Sequence, residues 1–369
     1  MDSILKFRDA LIIPLDTKRS IFFGILFHFS KAGAILSASH PMVPTIIARK
    51  VPMADMHETI RNIGIVPVIK IDSPDQALPL GKALLAGGLP VAEITFRTAA
   101  GEEGIRILSS QLPQLLVGAG TITSVEAARR AIDAGAKFIV SPGYSDDVVE
   151  YCLQRNVTIY PGVNNPSEIQ SAMRRGLSVL KFFPAEASGG VDMLDALSGP
   201  FPTLSFMPTG GIGMHNLASY IRKPYIVACG GSWMVKSDLI NQGRWDEITR
   251  LSREAVAAVH GFSFAHMGVN PSDTEEASNI TMALGVFLQP VTEGTTSFFA
   301  SEHIEIMKQP FLGTHGHIGI RTWDIERALE YLKNFGVEAD EATGRRDAKG
   351  RLTVIYLKDE VGGFALHLL

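Results

Sequence analysis

Two cysteines in 369 residues cannot build a disulfide framework. Lys and Arg together number 34 against 38 Asp and Glu, and a formal net charge of -4 leaves no basic footprint of the kind that nucleic acid selects. Long apolar runs are missing too. None reaches the roughly 18 to 20 residues that span a bilayer, and the nearest, IFFGILFHF, runs straight into Ser30 and Lys31. No GxGxxG follows the first β-rich run, which removes the usual sign of a dinucleotide fold. What remains is a chain 46% hydrophobic, the composition of a soluble intracellular globular protein with room for two or three domains.

The first fifty residues mix basic, apolar and proline-containing pieces with no sustained period of two or 3.6. Residues 1–52 therefore read as a poorly ordered extension, or as an over-long reading frame whose start is Met53 or Met56. A signal peptide is the competing reading, with Lys18 and Arg19 ahead of an apolar stretch and a small-residue site near LSAS; His28, Ser30 and Lys31 interrupt it.

From Ile65 the pattern is regular. Short β-rich runs (IVPVIKI, VAEITF, LLVGAGTI, FIVSPG, TIYPGV, VLKFFPA, LSFMPTGG and IVACGGS) alternate with amphipathic segments such as SVEAARRAIDAGA. Alternating units demand a parallel sheet, and about eight of them in about 200 residues favour a closed (β/α)8 TIM barrel over an open doubly wound sheet. In such a barrel the active site lies where the strands end. Those ends are polar: Glu93 interrupts the second run and Arg97 follows it, Thr121 and Pro142 close the third and fourth, and Lys181 interrupts the sixth.

Lys181 is the odd residue. Its neighbours Val179, Leu180, Phe182 and Phe183 describe a strand buried on both faces, where an ammonium group is costly. It must snorkel, pair with a carboxylate, or serve chemistry as a free amine. The last two turns, PTGGIG and CGGSWM, place closely spaced glycines ahead of helices, so Gly210, Gly211, Gly230, Gly231 and Ser232 are candidates to hold phosphate through bare N–H groups. Lys70 and Glu186 read as solvated or locally paired, His215 as a surface histidine, and Cys152 and Cys229 as helix and strand residues without chemistry.

KFFPAE with SGG following, GAGT, SPG, EITFRT, PTGGI and GGSWM occur in one order over about residues 56–260. Together they resemble the 2-keto-3-deoxy-6-phosphogluconate (KDPG) aldolases, including the bifunctional enzymes acting on 4-hydroxy-2-oxoglutarate. The resemblance implies a cytoplasmic, cofactor-free class I aldolase, expected as a homotrimer, acting on a phosphorylated keto-sugar acid. It makes Lys181 the Schiff-base lysine and Glu93 the general acid/base. Arg97 and Thr121 would contact the pyruvate carboxylate end, Pro142 and Phe183 would shape the pocket, and Thr209 would join the glycine turns at the far end of the substrate. Residue chemistry is compatible, because desolvation by Phe182 and Phe183 beside the Arg97 cation favours an unprotonated amine, the form that attacks a ketone. Alternatives are a 2-keto-3-deoxy-6-phosphogalactonate aldolase, or a sugar-acid sensor without turnover.

After about His260 the pattern changes. Residues 53–261 are expected to form the barrel and 262–369 a smaller α+β domain, read as two βαβββ halves. This tail resembles the vicinal oxygen chelate fold of glyoxalases and dioxygenases, whose ligands come from the first and last strands of each half. The resemblance points to His266, Glu305, His317 and His367 as a site for Zn²⁺, Ni²⁺ or Fe²⁺, with His367 where that family usually has Glu. A metal-free assembly or regulatory module is the alternative.

Overall fold

The computed structural model describes residues 53–369; the expected N-terminal extension, 1–52, lies outside them. The first part carries nine short strands, β1 (Ile65–Ile69), β2 (Val91–Thr95), β3 (Leu116–Gly120), β4 (Phe138–Val140), β5 (Thr158–Tyr160), β6 (Gly162–Val163), β7 (Val179–Phe182), β8 (Ser205–Pro208) and β9 (Cys229–Gly231). Helices alternate with them: α1 (Met53–Ile63), α2 (Ala77–Ala86), α3 (Ala100–Gln111), α4 (Val125–Asp133), α5 (Asp146–Gln154), α6 (Pro166–Arg174), α7 (Gly190–Ser198), α8 (Leu217–Ile221), α9 (Ser237–Asn241) and α10 (Trp245–His260). Local signals set several helix starts, as where Ser124 accepts from the Ala127 N–H and Asn165 from the N–H groups of Ser167 and Glu168.

All strand pairings in this part are parallel, as helical crossovers require. The order β5-β4-β3-β2-β1-β9 continues through bridges between β9 and the β8 region, and then through β8, β7 and β6. Pro161, which has no N–H to give, separates β5 from β6, yet the Tyr160 and Pro161 carbonyls accept from Ser141 and Lys181 on either side. The result is a TIM-barrel-like arrangement in which the strands are buried on both faces, so their sequences are nearly continuous in apolar residues. Met56 and Ile60 of α1 are buried in the same core.

The tail adds β10 (Ser263–Val269), α11 (Thr274–Gly285), β11 (Val291–Glu293), β12 (Ser297–Ala300) and β13 (Ile304–Met307), then β14 (Gly316–Arg321), α12 (Ile325–Lys333), β15 (Ala339–Arg346), β16 (Leu352–Val361) and β17 (Phe364–Leu368). These strands form one sheet ordered β11-β12-β13-β10-β14-β17-β16-β15. In each half the first strand runs parallel to the last, and β10 and β14 join the halves antiparallel at the centre. Each half has a small core of its own, around Ala277, Ala300 and Ile306 and around Ile325, Ala328, Ile355 and Leu368.

The tail docks beneath the barrel, at the N-terminal ends of its strands. Arg327 of α12 donates from Nε to the Arg61 carbonyl at 2.9 Å, Arg61 pairs with Asp324 at 3.3 Å, and the Trp323 indole donates to the Ala258 carbonyl. Tyr331 packs on His260 at the end of α10. Among the described residues no helix is long and apolar enough to cross a membrane.

Candidate active site

β2 and β7 are not hydrogen-bonded neighbours, so the side chains of Glu93 and Lys181 can meet only across the barrel interior. They do: Lys181 Nζ lies 3.7 Å from Glu93 Oε1, with the two residues 5% and 1% exposed. Both carboxylate oxygens of Glu93 lack a hydrogen-bond partner. Two buried opposite charges that do not complete each other's hydrogen bonds gain little stability. The pair stands beyond hydrogen-bond distance, so the Glu93 oxygens keep their accepting capacity for another group.

Alternation along β7 sends successive side chains to opposite faces. Lys181 therefore shares its face with Phe183, whose ring centroid is 5.1 Å from Nζ, while Phe182 is buried on the other side. Of the two phenylalanines flanking the lysine, only Phe183 lies against the amine.

The glycines of GAGT act through their missing side chains. A Cβ on Gly120 would stand 2.1 Å from Glu93 Oε1, and one on Gly118 would collide with the Phe138 ring. Thr121 follows with φ of 59°, a left-handed backbone that a β-branched residue rarely adopts. Its hydroxyl accepts from Arg97 Nε at 3.2 Å, so the two residues assigned to the carboxylate end are joined at the exposed mouth. Pro142 sits at the end of β4, half-buried; its carbonyl approaches Gly162 so closely that a Cβ there would lie 2.2 Å away.

The two glycine turns are neighbours. Thr209 and Gly230 form a parallel bridge, and Thr209 is buried with a hydroxyl that has no partner; a Cβ on Gly230 would fall 2.2 Å from that oxygen. Gly210 and Gly211 have φ of 101° and 83°, open to glycine alone at little cost. Gly230 and Gly231 are buried and Ser232 is exposed beside them. Glu186, read from the sequence as solvated or locally paired, is exposed and locally paired. It packs under Gly211 and accepts a short hydrogen bond from Tyr220, bracing the first turn from below.

The remaining ionisable residues stay outside this chemistry. Lys70 pairs with Asp72 at 2.7 Å and His215 is exposed. Burial pushes the Cys152 and Cys229 thiols up to about 12, which leaves them un-ionised at neutral pH.

The profile of KDPG and KHG aldolases matches residues 56–251. The 2-dehydro-3-deoxy-phosphogluconate aldolase of Haemophilus influenzae is 50% identical over 199 residues, 54% of this chain and 94% of that protein. The chain belongs to the KDPG and KHG aldolase family. The KHG/KDPG aldolase of Escherichia coli K12 is 40% identical over 200 residues, again 54% of this chain and 94% of the relative. Among solved structures, the KDPG aldolase of Legionella pneumophila, with pyruvate captured as a covalent carbinolamine, matches with a TM-score of 0.53 and 36% identity over 54% of this chain and 96% of its own. The Zymomonas mobilis enzyme with 3-phosphoglycerate matches with a TM-score of 0.53 and 36% identity, over 56% and 96%. Lys181, Glu93 and both glycine turns fall inside the region matched to the family, and the chain is a lyase of the Schiff-base aldolase type.

Beyond that region, the tail gathers a second cluster. His266, His317 and His367 place ligand atoms within 4.8 Å of one another. Glu305 Oε2 stands 3.1 Å from His317 Nε2 and 3.5 Å from His266 Nε2. Register explains the convergence. Gly268 lies opposite both His317 and Glu305, and Gly319 lies opposite both His266 and His367. A Cβ on Gly268 would collide with the His317 ring at 2.1 Å, and one on Gly319 would meet His266 and His367 at 2.7 and 2.8 Å. Burial lowers the His266 pKa and, with help from the other two imidazoles, pushes that of His367 down to about 3. Burial opposes the Glu305 carboxylate, but hydrogen bonds from His317 and Ser297 hold its pKa below the ordinary value. Three imidazoles around one carboxylate are a donor set that fits Zn²⁺, Ni²⁺ or Fe²⁺.

Proposed function

We propose that the chain cleaves 2-keto-3-deoxy-6-phosphogluconate to pyruvate and glyceraldehyde 3-phosphate, and 4-hydroxy-2-oxoglutarate to pyruvate and glyoxylate, on Lys181. The observation that carries this is the Lys181 amine 3.7 Å from a buried, unpartnered Glu93 carboxylate. The amine adds to the C2 ketone, and loss of water gives an iminium. Glu93, directly or through a water, takes the proton of the C4 hydroxyl; the C3–C4 bond breaks and its electron pair flows into the iminium, leaving an enamine and a free aldehyde. Protonation at C3 and hydrolysis release pyruvate and restore the amine. The lysine is itself the electron sink, so the cycle balances without a cofactor.

In this reading Arg97 and Thr121 hold the carboxylate, Phe183 and Pro142 wall the pocket, and Thr209 meets the hydroxyl-bearing end. The N–H groups around Gly210, Gly211, Gly230 and Gly231, with Ser232, take the phosphate. The barrel is an eightfold (β/α) barrel over 53–261, working as a cytoplasmic homotrimer; the family resemblance supports those last two points. A panel of KDPG, its galacto epimer and 4-hydroxy-2-oxoglutarate tests the substrate assignment: kcat/KM should be greatest for KDPG. A greater value for the galacto epimer overturns it, and turnover of none leaves the sensor reading.

For the tail, 262–369, we infer a vicinal oxygen chelate-type domain whose His266, Glu305, His317 and His367 bind a divalent metal. The two βαβββ halves and the facing ligand atoms support it. Such an ion would supply Lewis acidity within the sheet. Elemental analysis of the purified chain should find one equivalent of Zn²⁺, Ni²⁺ or Fe²⁺, lost on Glu305→Ala or His266→Ala. Metal-free protein after growth and loading with all three leaves an assembly or regulatory role.

A further inference from the structure

Between Gly210 and Gly213 the first glycine turn, GGIG, carries one side chain, that of Ile212, which is buried. A segment so rich in glycine has wide conformational freedom, and hydrogen bonds to its surroundings must set its shape. The N–H groups of Ala185 and Glu186, after β7, donate to the Thr209 and Gly210 carbonyls at 2.8 and 3.1 Å. A single side chain then brackets the rest of the turn: Asn216 Nδ2 donates to the Gly211 carbonyl at 3.2 Å, and Asn216 Oδ1 accepts from the Gly213 N–H at 2.9 Å.

These bonds fix where the turn's own N–H groups point. The peptides of the turn are trans, so the C=O and N–H of each unit lie on opposite edges. The Gly210 carbonyl is held by Glu186, which turns the Gly211 N–H the other way; the Gly211 carbonyl is held by Asn216, which does the same for the Ile212 N–H. Among the described residues neither N–H donates to a protein group. Successive N–H groups of this kind make a concavity for an anion, and the direction of the second depends on the Asn216 amide. An amide suits the task because it donates with one arm and accepts with the other, whereas a carboxylate only accepts.

We propose that Asn216 is a positioning residue of the aldolase: without touching the substrate, it aims the N–H groups of the glycine turn and so sets the preference for a phosphorylated substrate over an unphosphorylated one. The inference rests on the reading of that turn as the phosphate site.

The reverse reaction isolates the phosphoryl group, since pyruvate can be condensed with glyceraldehyde 3-phosphate or with glyceraldehyde itself. The wild type should have the lower KM for the phosphorylated aldehyde. Asn216→Ala should raise that KM about tenfold or more, as misdirected contacts do, and leave kcat/KM for glyceraldehyde within about twofold. Asn216→Asp, nearly the same in shape, should lose at least as much, because it offers no donor to the Gly211 carbonyl. The rate with glyceraldehyde and the melting temperature report that both variants are folded. A wild-type KM for glyceraldehyde 3-phosphate in Asn216→Ala overturns the proposal even where Asn216→Asp is impaired, since a new negative charge explains that result alone. An equal loss on both aldehydes, the mark of general damage, overturns it too. Equal KM values for the two aldehydes in the wild type remove the phosphate reading of the turn, and the proposal with it.

Discussion

Lys181 and Glu93 stood out in the sequence for one physical reason: each is a charge inside a β-rich run whose other members are apolar, and nothing in a purely structural strand needs it. The residues that make room for them were less visible. Gly120 looks like an ordinary turn glycine until the carboxylate of Glu93 is seen where its Cβ would be. Glu93→Gln should lower kcat by roughly 10²- to 10⁴-fold while substrate still binds, the usual weight of a positioned acid/base group. Gly120→Ala should push the carboxylate aside and lower kcat by about 10²-fold in a protein that melts as the wild type does, because an ångström of misplacement is enough. Steady-state kinetics and a melting curve check both; unchanged kcat in Glu93→Gln removes that residue from the mechanism, and unchanged kcat in Gly120→Ala removes the crowding argument.

At the scale of elements, the eight barrel runs were legible because strands buried on both faces are nearly continuous in apolar residues and end in Gly, Pro or Thr. The edge strands of the tail were not. β11 is exposed at all three positions, and β15, ADEATGRR, has no apolar face for a period-two pattern to reveal. Pairing with β12 and β16 makes them strands, and that partner is not in the local sequence. Gly268 and Gly319 were equally silent, since their contacts come from facing strands. Gly319→Ala should therefore abolish the metal binding proposed for the tail as surely as Glu305→Ala does, by the same elemental analysis. Full metal occupancy in Gly319→Ala would show that the imidazoles do not depend on that gap.

Taken whole, the molecule keeps its two clusters apart. The tail binds under the strands' N-terminal ends through Arg327, Asp324 and Trp323, whereas Arg97, Thr121, Thr209 and the glycine turns lie at the C-terminal ends. None of this was readable beforehand, because in DIERALEYLKNFG the arginine looks like any solvated residue of an amphipathic helix. With the tail so placed it cannot cover the aldolase mouth. Truncation at Gly261 should keep kcat/KM within a few-fold, and it should lower the melting temperature, since His260 and the surface under Tyr331 become exposed. Activity lost in a truncated chain that remains folded would assign the tail a part in catalysis.

The account depends most on Lys181 being the nucleophile. Incubation with pyruvate, borohydride reduction and peptide mass spectrometry test that directly. The account predicts a single pyruvyl adduct on Lys181, and none in Lys181→Met, a change that removes the amine but keeps apolar bulk. An adduct recovered on Lys70 or Lys137 instead, or wild-type protein that traps no pyruvate at all, would contradict it.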